Sequence, residues 1–249
     1  LNYQINQKSC LKAAKLAKEG GVKRFIFASS CSVYGQAGNA NKKETDKVEP
    51  LTAYAKSKIN SEKLLKKISS KKFKVVSLRF ATACGHSPRL RLDLVLNDFI
   101  TNAILFKKIK ILSDGKSYRP LISVENMSKI MIYFSDLDKK LKKNFYIINA
   151  GLNDWNFSII QLAKRVSKII NNIPVEVGNS HGADKRSYKV NFSYLKKLTP
   201  GLKLNNNLNS TIREMYQAIK KIKFKSKNFR ESKFIRLKIL EKFIQKNDF

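Results

Sequence analysis

The stretch from Phe25 to Leu65 constrains this chain most, because it joins a buried-strand pattern to a helix with two reactive side chains on one face. Arg24-Phe25-Ile26-Phe27-Ala28 is a short apolar run rich in β formers, which predicts a strand over 25–29. Ser29 and Ser30 end it, at the carboxyl edge where open parallel sheets place their ligands. After a polar loop, Thr52 is placed to cap a helix from Ala53, with Ala55, Ile59, Leu65 and Ile68 at roughly helical spacing. Tyr54 and Lys58 are four apart on that helix, so they share a face.

That pair has a chemical use. A phenol titrates near pH 10, and bringing it to about 7 takes roughly 4 kcal/mol of differential stabilisation of the phenolate. One ammonium about 7 Å away supplies roughly 2.4 kcal/mol at an effective dielectric of 20, so Lys58 alone falls short. A second cation, such as an oxidised nicotinamide ring, would close the gap and make the base active only with the cofactor bound. Tyr54 is then the candidate catalytic acid/base and Ser30 the hydroxyl that holds the reacting oxygen. Tyr-x-x-x-Lys alone would equally describe a surface pair on an amphipathic helix; the surrounding pattern decides.

Around this core, residues 2–19 read as a helix with Ile5, Cys10, Ala13, Ala14 and Ala17 toward a sheet, ended by Gly20-Gly21. Phe73 to Phe80 is the next strand, Ile109 to Leu112 a short one, and Ser113-Asp114-Gly115 a turn. Strand Phe145 to Ala150, a helix over about 157–170 and another over 207–222 follow. This alternation predicts an α/β protein with a doubly wound parallel sheet. Past Lys223 the chain is dense in charge, and a basic C-terminal helix is expected over 223–249. Phe234, Leu237, Leu240, Phe243 and Ile244 recur at helical spacing there, and Glu231 and Glu241 favour a docked terminal helix over a membrane-surface one.

The Ser-ending strand, the turn Val33-Tyr34-Gly35, the approach Pro50-Leu51-Thr52-Ala53-Tyr54 and the Tyr-bearing helix occur in one order. Together they resemble the extended short-chain dehydrogenase/reductases, specifically the NAD-dependent epimerase/dehydratases of nucleotide sugars, from about Leu1 to about Ile222. The resemblance implies a partial Rossmann-type doubly wound parallel sheet with a smaller C-terminal α/β substrate region, with 1–90 as the C-terminal part of a Rossmann-like NAD-binding domain and 91–222 as a substrate-binding region interleaved with the last sheet elements. It also implies catalytic roles for Ser30, Tyr54 and Lys58. It implies cofactor contacts from Asn6, Tyr54, Lys58 and Phe80, the last within Arg79 to Gly85, which resembles the segment flanking nicotinamide and sugar. Substrate contacts would come from Asn97, from Arg119, in a stretch resembling Arg-Asp-x-Ile-His-Val-x-Asp but with Pro120, Ser123 and Asn126 at three of its positions, and from Arg186. The cofactor is expected to be NAD, with NADP as the alternative, and the substrate a nucleotide sugar. Dehydratases of the family carry an Asp-Glu pair after the catalytic Ser/Thr. Cys31-Ser32 stands there instead, which favours epimerisation or keto reduction over 4,6-dehydration. A homodimer and a separate N-terminal half are compatible partners, because no Gly-x-Gly-x-x-Gly or Gly-x-x-Gly-x-x-Gly phosphate cradle occurs in the 249 residues.

Composition narrows the rest. The net charge of +33 is the footprint of a nucleic-acid binder, the main rival reading along with an inactive or partner-dependent fragment. The basic residues are spread along the whole chain without a zinc-finger or RNA-recognition pattern, so nucleic acid is not the expected partner. Three dispersed cysteines and two histidines argue against a disulfide framework and a metal site, and the cytoplasm is the expected location. No apolar run reaches the ~18 residues of a membrane span, so no membrane partner is expected. Gly178-Asn179-Ser180-His181-Gly182 fits the hydrolase nucleophile elbow, but no histidine follows His181 to complete a triad in that family's order.

Overall fold

Near-continuous burial along the central strand explains how this sequence builds a sheet covered on both faces. The computed structural model describes residues 3–139, 141–178, 186–224 and 228–246. A π-helical segment, Tyr3–Ser9, leads into α1 (Cys10–Glu19), which stops at Gly20-Gly21 with Gly21 at a φ of 78°. Next come β1 (Arg24–Ser30), β2 (Gln36–Lys42), α2 (Ala53–Ile68), β3 (Lys74–Phe80) and β4 (Thr82–Cys84). The following elements are α3 (Val95–Phe106), β5 (Ile109–Ile111), β6 (Tyr118–Ser123), α4 (Val124–Ser135), β7 (Phe145–Ala150), β8 (Asn156–Ser158) and α5 (Ile159–Ile169). Then come β9 (Val175–Val177), β10 (Ser187–Val190), α6 (Ser193–Leu198), α7 (Leu208–Lys220) and α8 (Arg236–Lys246). The chain is an α/β protein with parallel strands, as its sequence predicts. The hydrolase-like motif, apart from Gly178, lies outside the described residues.

Two compact units share the chain, each made from three stretches. One comprises Leu1–Thr82, Ser117–Asn156 and Asp184–Asn206; the other comprises Ala83–Lys116, Phe157–Ala183 and Asn207–Phe249. In the first, β1, β3 and β7 form a parallel sheet in that order, with Ser30, Phe80 and Ala150 in register at its carboxyl edge. Phe27 and Val75 pack with Ala14, Leu65 and Phe73 on the face covered by α1 and α2. Ile26, Val76, Leu78 and Ile148 pack with Ile130, Phe134 and Leu195 of α4 and α6 on the other. Of the residues expected to turn α1 and the segment before it toward the sheet, only Ala14 is fully buried, with Cys10 and Ala17 partly so, while Ile5 is exposed. The opening π-helical segment explains the difference, because its rotation per residue departs from the helical period used to assign the face.

The α2 face of the sheet changes character along its length. Alternation puts Phe25, Phe27 and Ser29 of β1, and Val75, Ser77 and Arg79 of β3, on that face, so apolar residues give way to polar ones toward the carboxyl edge. Glu62 of α2 lies there. It accepts from Ser29 Oγ at 2.6 Å, Ser77 Oγ at 3.3 Å, and Arg79 Nε and Nη2 at 3.0 and 2.7 Å. Both ion-pair side chains are only 4% exposed. Arg79 also donates to Tyr34 Oη at 3.1 Å, and Tyr34 donates to Asn149 Oδ1 of β7 at 2.8 Å. One buried network thus ties α2 to all three strands. Glu62→Ala strands the Arg79 charge and is expected to cost about 3–5 kcal/mol in denaturant unfolding; a loss below about 1 kcal/mol would show that the network contributes little.

In the second unit, α3 packs against α5 and α7, and β5 pairs with β9 in parallel. Asn207 caps α7 by accepting from the Ser210 N–H at 3.1 Å. The C-terminal segment docks differently from expectation. Phe229 is buried and Arg230 pairs with Asp98 at 2.8 Å, whereas Leu237 and Phe243 of α8 are 64% and 59% exposed. Anchoring falls on the short turn before the helix, so periodicity within α8 could not reveal it.

Burial pushes the Asp98 carboxyl up to about 6, against the pull of Arg230 and Asn102. A raised folded-state value contributes stability below about pH 4 that is lost as pH rises through about 6. The stability advantage of the wild type over Asp98→Asn should therefore shrink between pH 4 and 7 in paired urea titrations. An advantage that grew over this range would reverse the assigned sign.

Candidate active site

Local sequence places the reactive groups at the carboxyl edge of the sheet. Ser30 ends β1 and its Oγ accepts the Ser32 N–H at 3.2 Å, capping a single 3-10 turn over Cys31–Tyr34. Gly35 closes that turn with a φ of 64°, and a Cβ there would come within 2.0 Å of the Glu49 carbonyl oxygen. Only glycine fits. Thr52 caps α2 as its sequence predicts, accepting the Ala55 N–H at 3.1 Å. The cap sets Tyr54 in the first turn and Lys58 one turn later.

Lys58 Nζ donates to the Ala28 carbonyl at 2.8 Å and lies 4.9 Å from the Phe27 ring centroid and 5.4 Å from that of Tyr54. The lysine therefore bridges the helix to the strand two residues before Ser30. Burial lowers its pKa, while Cys10 and Glu62 work in the opposite direction. Tyr54 is 40% exposed. Asn6 sits beside α2, its carbonyl accepting from Ser61 Oγ at 2.7 Å. Phe80 is buried and in register with Ser30.

Arg119 and Arg186 are brought together where β6 meets the start of β10, a contact that the sequence did not announce. The loop after Gly35 contains β2, which pairs in parallel with β10. Ser187 donates its N–H to the Gly35 carbonyl at 3.1 Å, and its Oγ accepts from the Tyr118 N–H at 3.1 Å. Arg119, buried on β6, donates to the carbonyls of Tyr118 and Arg186 and lies 5.6 Å from the Tyr188 ring. The departures at Ser123 and Asn126 are structural: Ser123 Oγ caps α4 by accepting the Asn126 N–H, and Asn126 pairs with the main chain of Asn205 at 2.7 and 2.9 Å. Asp184 and Lys185, next to Arg186, lie outside the described residues.

In the second unit, Asn97 is buried on α3. Its Nδ2 donates to the Arg91 carbonyl at 2.7 Å, but its Oδ1 is buried without a partner. An unmade hydrogen bond of this kind costs about 1–3 kcal/mol and marks a place for an incoming donor. Among the described residues no group of three or more His, Cys, Asp or Glu is arranged to hold a metal, and no helix is long and apolar enough to cross a membrane.

The sequence profile of the NAD dependent epimerase/dehydratase family matches residues 2–151, more than half of the chain and including Ser30, Tyr54 and Lys58. The chain belongs to this family. Among curated relatives, it is 28% identical over 222 residues to the UDP-glucuronate 4-epimerase of Thermodesulfobacterium geofontis, an alignment covering 86% of this chain and 66% of the relative. It is 29% identical over 126 residues to an uncharacterised UDP-glucose epimerase of Bacillus subtilis, covering 50% and 39%. A solved UDP-N-acetylglucosamine 4-epimerase from Methanobrevibacter ruminantium, in complex with UDP-N-acetylmuramic acid, superposes with a TM-score of 0.75 at 26% identity, covering 86% of this chain and 68% of that one. The chain thus spans about 39–66% of the length of these curated relatives.

The family is one of enzymes whose cofactor is NAD. The donor set fits the nicotinamide end of that cofactor, with an ammonium, a phenol and a hydroxyl along one sheet edge. Among the described residues no glycine-rich turn opens a helix for the pyrophosphate end; Gly20-Gly21 closes α1 instead. Sequence reading missed Glu62 and Arg79, although Glu62 stands one turn beyond Lys58 and Arg79 is a charged residue inside a buried strand. Both were legible as polar residues at inward positions. Since the lowered pKa means that the Lys58 ammonium is held at a cost, Lys58→Met should leave the melting temperature within about 2 °C of wild type or raise it. Calorimetry showing a fall of more than about 5 °C would make Lys58 a structural residue.

Proposed function

We propose that this chain supplies the catalytic and substrate-holding part of an NAD-dependent enzyme that modifies a nucleotide sugar by transient oxidation of a sugar hydroxyl. The observation carrying the proposal is the half-buried Lys58 ammonium, which links Tyr54 on α2 to the strand that ends at Ser30. NAD, when bound, supplies the hydride acceptor and later the donor. Tyr54 takes the proton of the sugar hydroxyl, Ser30 donates a hydrogen bond to that oxygen, and Lys58 favours the phenolate. Asn6 and Phe80 border the cofactor.

Epimerisation or keto reduction is favoured over 4,6-dehydration. Burial pushes the Cys31 thiol far up, and its Sγ donates to the Arg79 carbonyl at 3.0 Å, so it is no acid/base at neutral pH. Arg119 and Arg186 are the candidate clamp for the substrate diphosphate, and the orphan Oδ1 of Asn97 the candidate acceptor for a substrate donor. The free thiols of Cys10, Cys31 and Cys84 fit a cytoplasmic setting. A separate N-terminal half would complete the phosphate cradle by pairing along β1, the end strand of its three-stranded sheet.

Tyr54→Phe tests the chemistry in a chain supplied with a glycine-rich N-terminal βαβ segment. Turnover of UDP-glucose or UDP-glucuronate should fall at least about 100-fold while nucleotide-sugar binding is kept. A decrease below about tenfold, or 1.4 kcal/mol of barrier, would remove Tyr54 from the mechanism.

A further inference from the structure

The opposite ends of the same strands form a basic cleft, and we propose that it binds a short oligophosphate anion such as the phosphate chain of a nucleoside triphosphate. Arg24 and Lys74 open β1 and β3 and pair in register. Lys18, Lys23, Lys71 and Lys72 complete a ring of six cations lining a cleft of about 700 Å³, with no carboxylate side chain in the lining. That volume is in the range of small-molecule sites, about 300–1,000 Å³. The seven residues of β1 run from Arg24 in the cleft to Ser30, roughly 20 Å along an extended strand. It is therefore distinct from the catalytic edge.

The cations are positioned but not neutralised. Lys18 Nζ donates to the Ile68 carbonyl at 2.9 Å, and Lys74 Nζ to that of Leu141. Arg24 donates to the carbonyls of Phe134 at 3.0 Å, Asp136, and Lys139 at 2.9 Å, while its Nε is buried without an acceptor. Main-chain carbonyls orient these side chains and leave the charge in place, unlike a carboxylate partner. The Asp136 carboxylate lies 4.0 Å from Lys139 and also acts on Arg24, so one of the six cations is partly compensated from outside the lining. Lys23, Lys71 and Lys72 are exposed. Six like charges in one concavity repel one another, and a compact polyanion relieves that repulsion while satisfying several donors at once. Val22 and Leu137, exposed in the same cleft, give an apolar flank for a base.

The test must separate a built site from the diffuse charge of the whole chain. Inorganic tripolyphosphate titrated calorimetrically into the 249-residue chain at about 0.15 M salt should show one saturable site. Lys23→Gln/Lys72→Gln should weaken it at least about tenfold, while Lys196→Gln/Lys197→Gln, an exposed pair in the same unit, should change it less than about twofold. Equal losses for the two double variants, or the absence of a saturable site, would each overturn the proposal. Binding only to long single-stranded RNA, with a steep salt dependence, would overturn it in favour of a diffuse nucleic-acid surface.

Discussion

The buried pair of Glu62 and Arg79 is the interaction on which the candidate site at the sheet's carboxyl edge depends. Two charges removed from water repay their desolvation only when their remaining donors and acceptors are also satisfied, and here both are. Glu62 takes four hydrogen bonds from β1 and β3, and Arg79 passes the connection through Tyr34 to β7. A hydrophobic contact in the same place would hold α2 against the sheet but leave it free to slide. Directional bonds fix its register, and with it the reach of Lys58 to the Ala28 carbonyl.

The same physics sets the electrostatics of the edge. Burial lowers the Lys58 pKa, and the Glu62 carboxylate one turn away opposes that shift. The residue that locks the helix therefore also helps keep its lysine charged. On β7, the Asn149 N–H donates to Glu44 at 2.9 Å, and burial raises the Glu44 pKa despite that bond. The polar groups at the sheet's carboxyl end are thus placed by the fold in a poorly solvated layer, where small changes in geometry alter their charge state.

Much of this was legible in the sequence for identifiable reasons. The strand ending in Ser29-Ser30, the Thr52 cap and the four-residue spacing of Tyr54 and Lys58 are local signals, and local signals survive translation into structure. The positions of Arg119 and Arg186 were readable only as candidates from resemblance, because their proximity depends on β6 meeting the start of β10, segments 67 residues apart in the chain. The strand β2 was hidden as well: Gln36-Ala37-Gly38-Asn39-Ala40 carries no strand pattern, and tertiary pairing with β10 makes it a strand. The exposure of α8 was hidden for a related reason: its periodicity specifies an apolar face, but the anchor is Phe229, outside the helix.

The pairing of β2 with β10 has a consequence for how the molecule is made. Parallel strands drawn from distant parts of a chain close a long loop before they gain any contact energy, so they form slowly. On the ribosome, β1, α2 and β3 can associate while β10 has yet to be synthesised. The helix α2 can then be seated early, whereas β10, which directly follows Arg186, reaches β2 only late. The candidate site is thereby assembled in an order, its Tyr54 and Lys58 end before its Arg186 end.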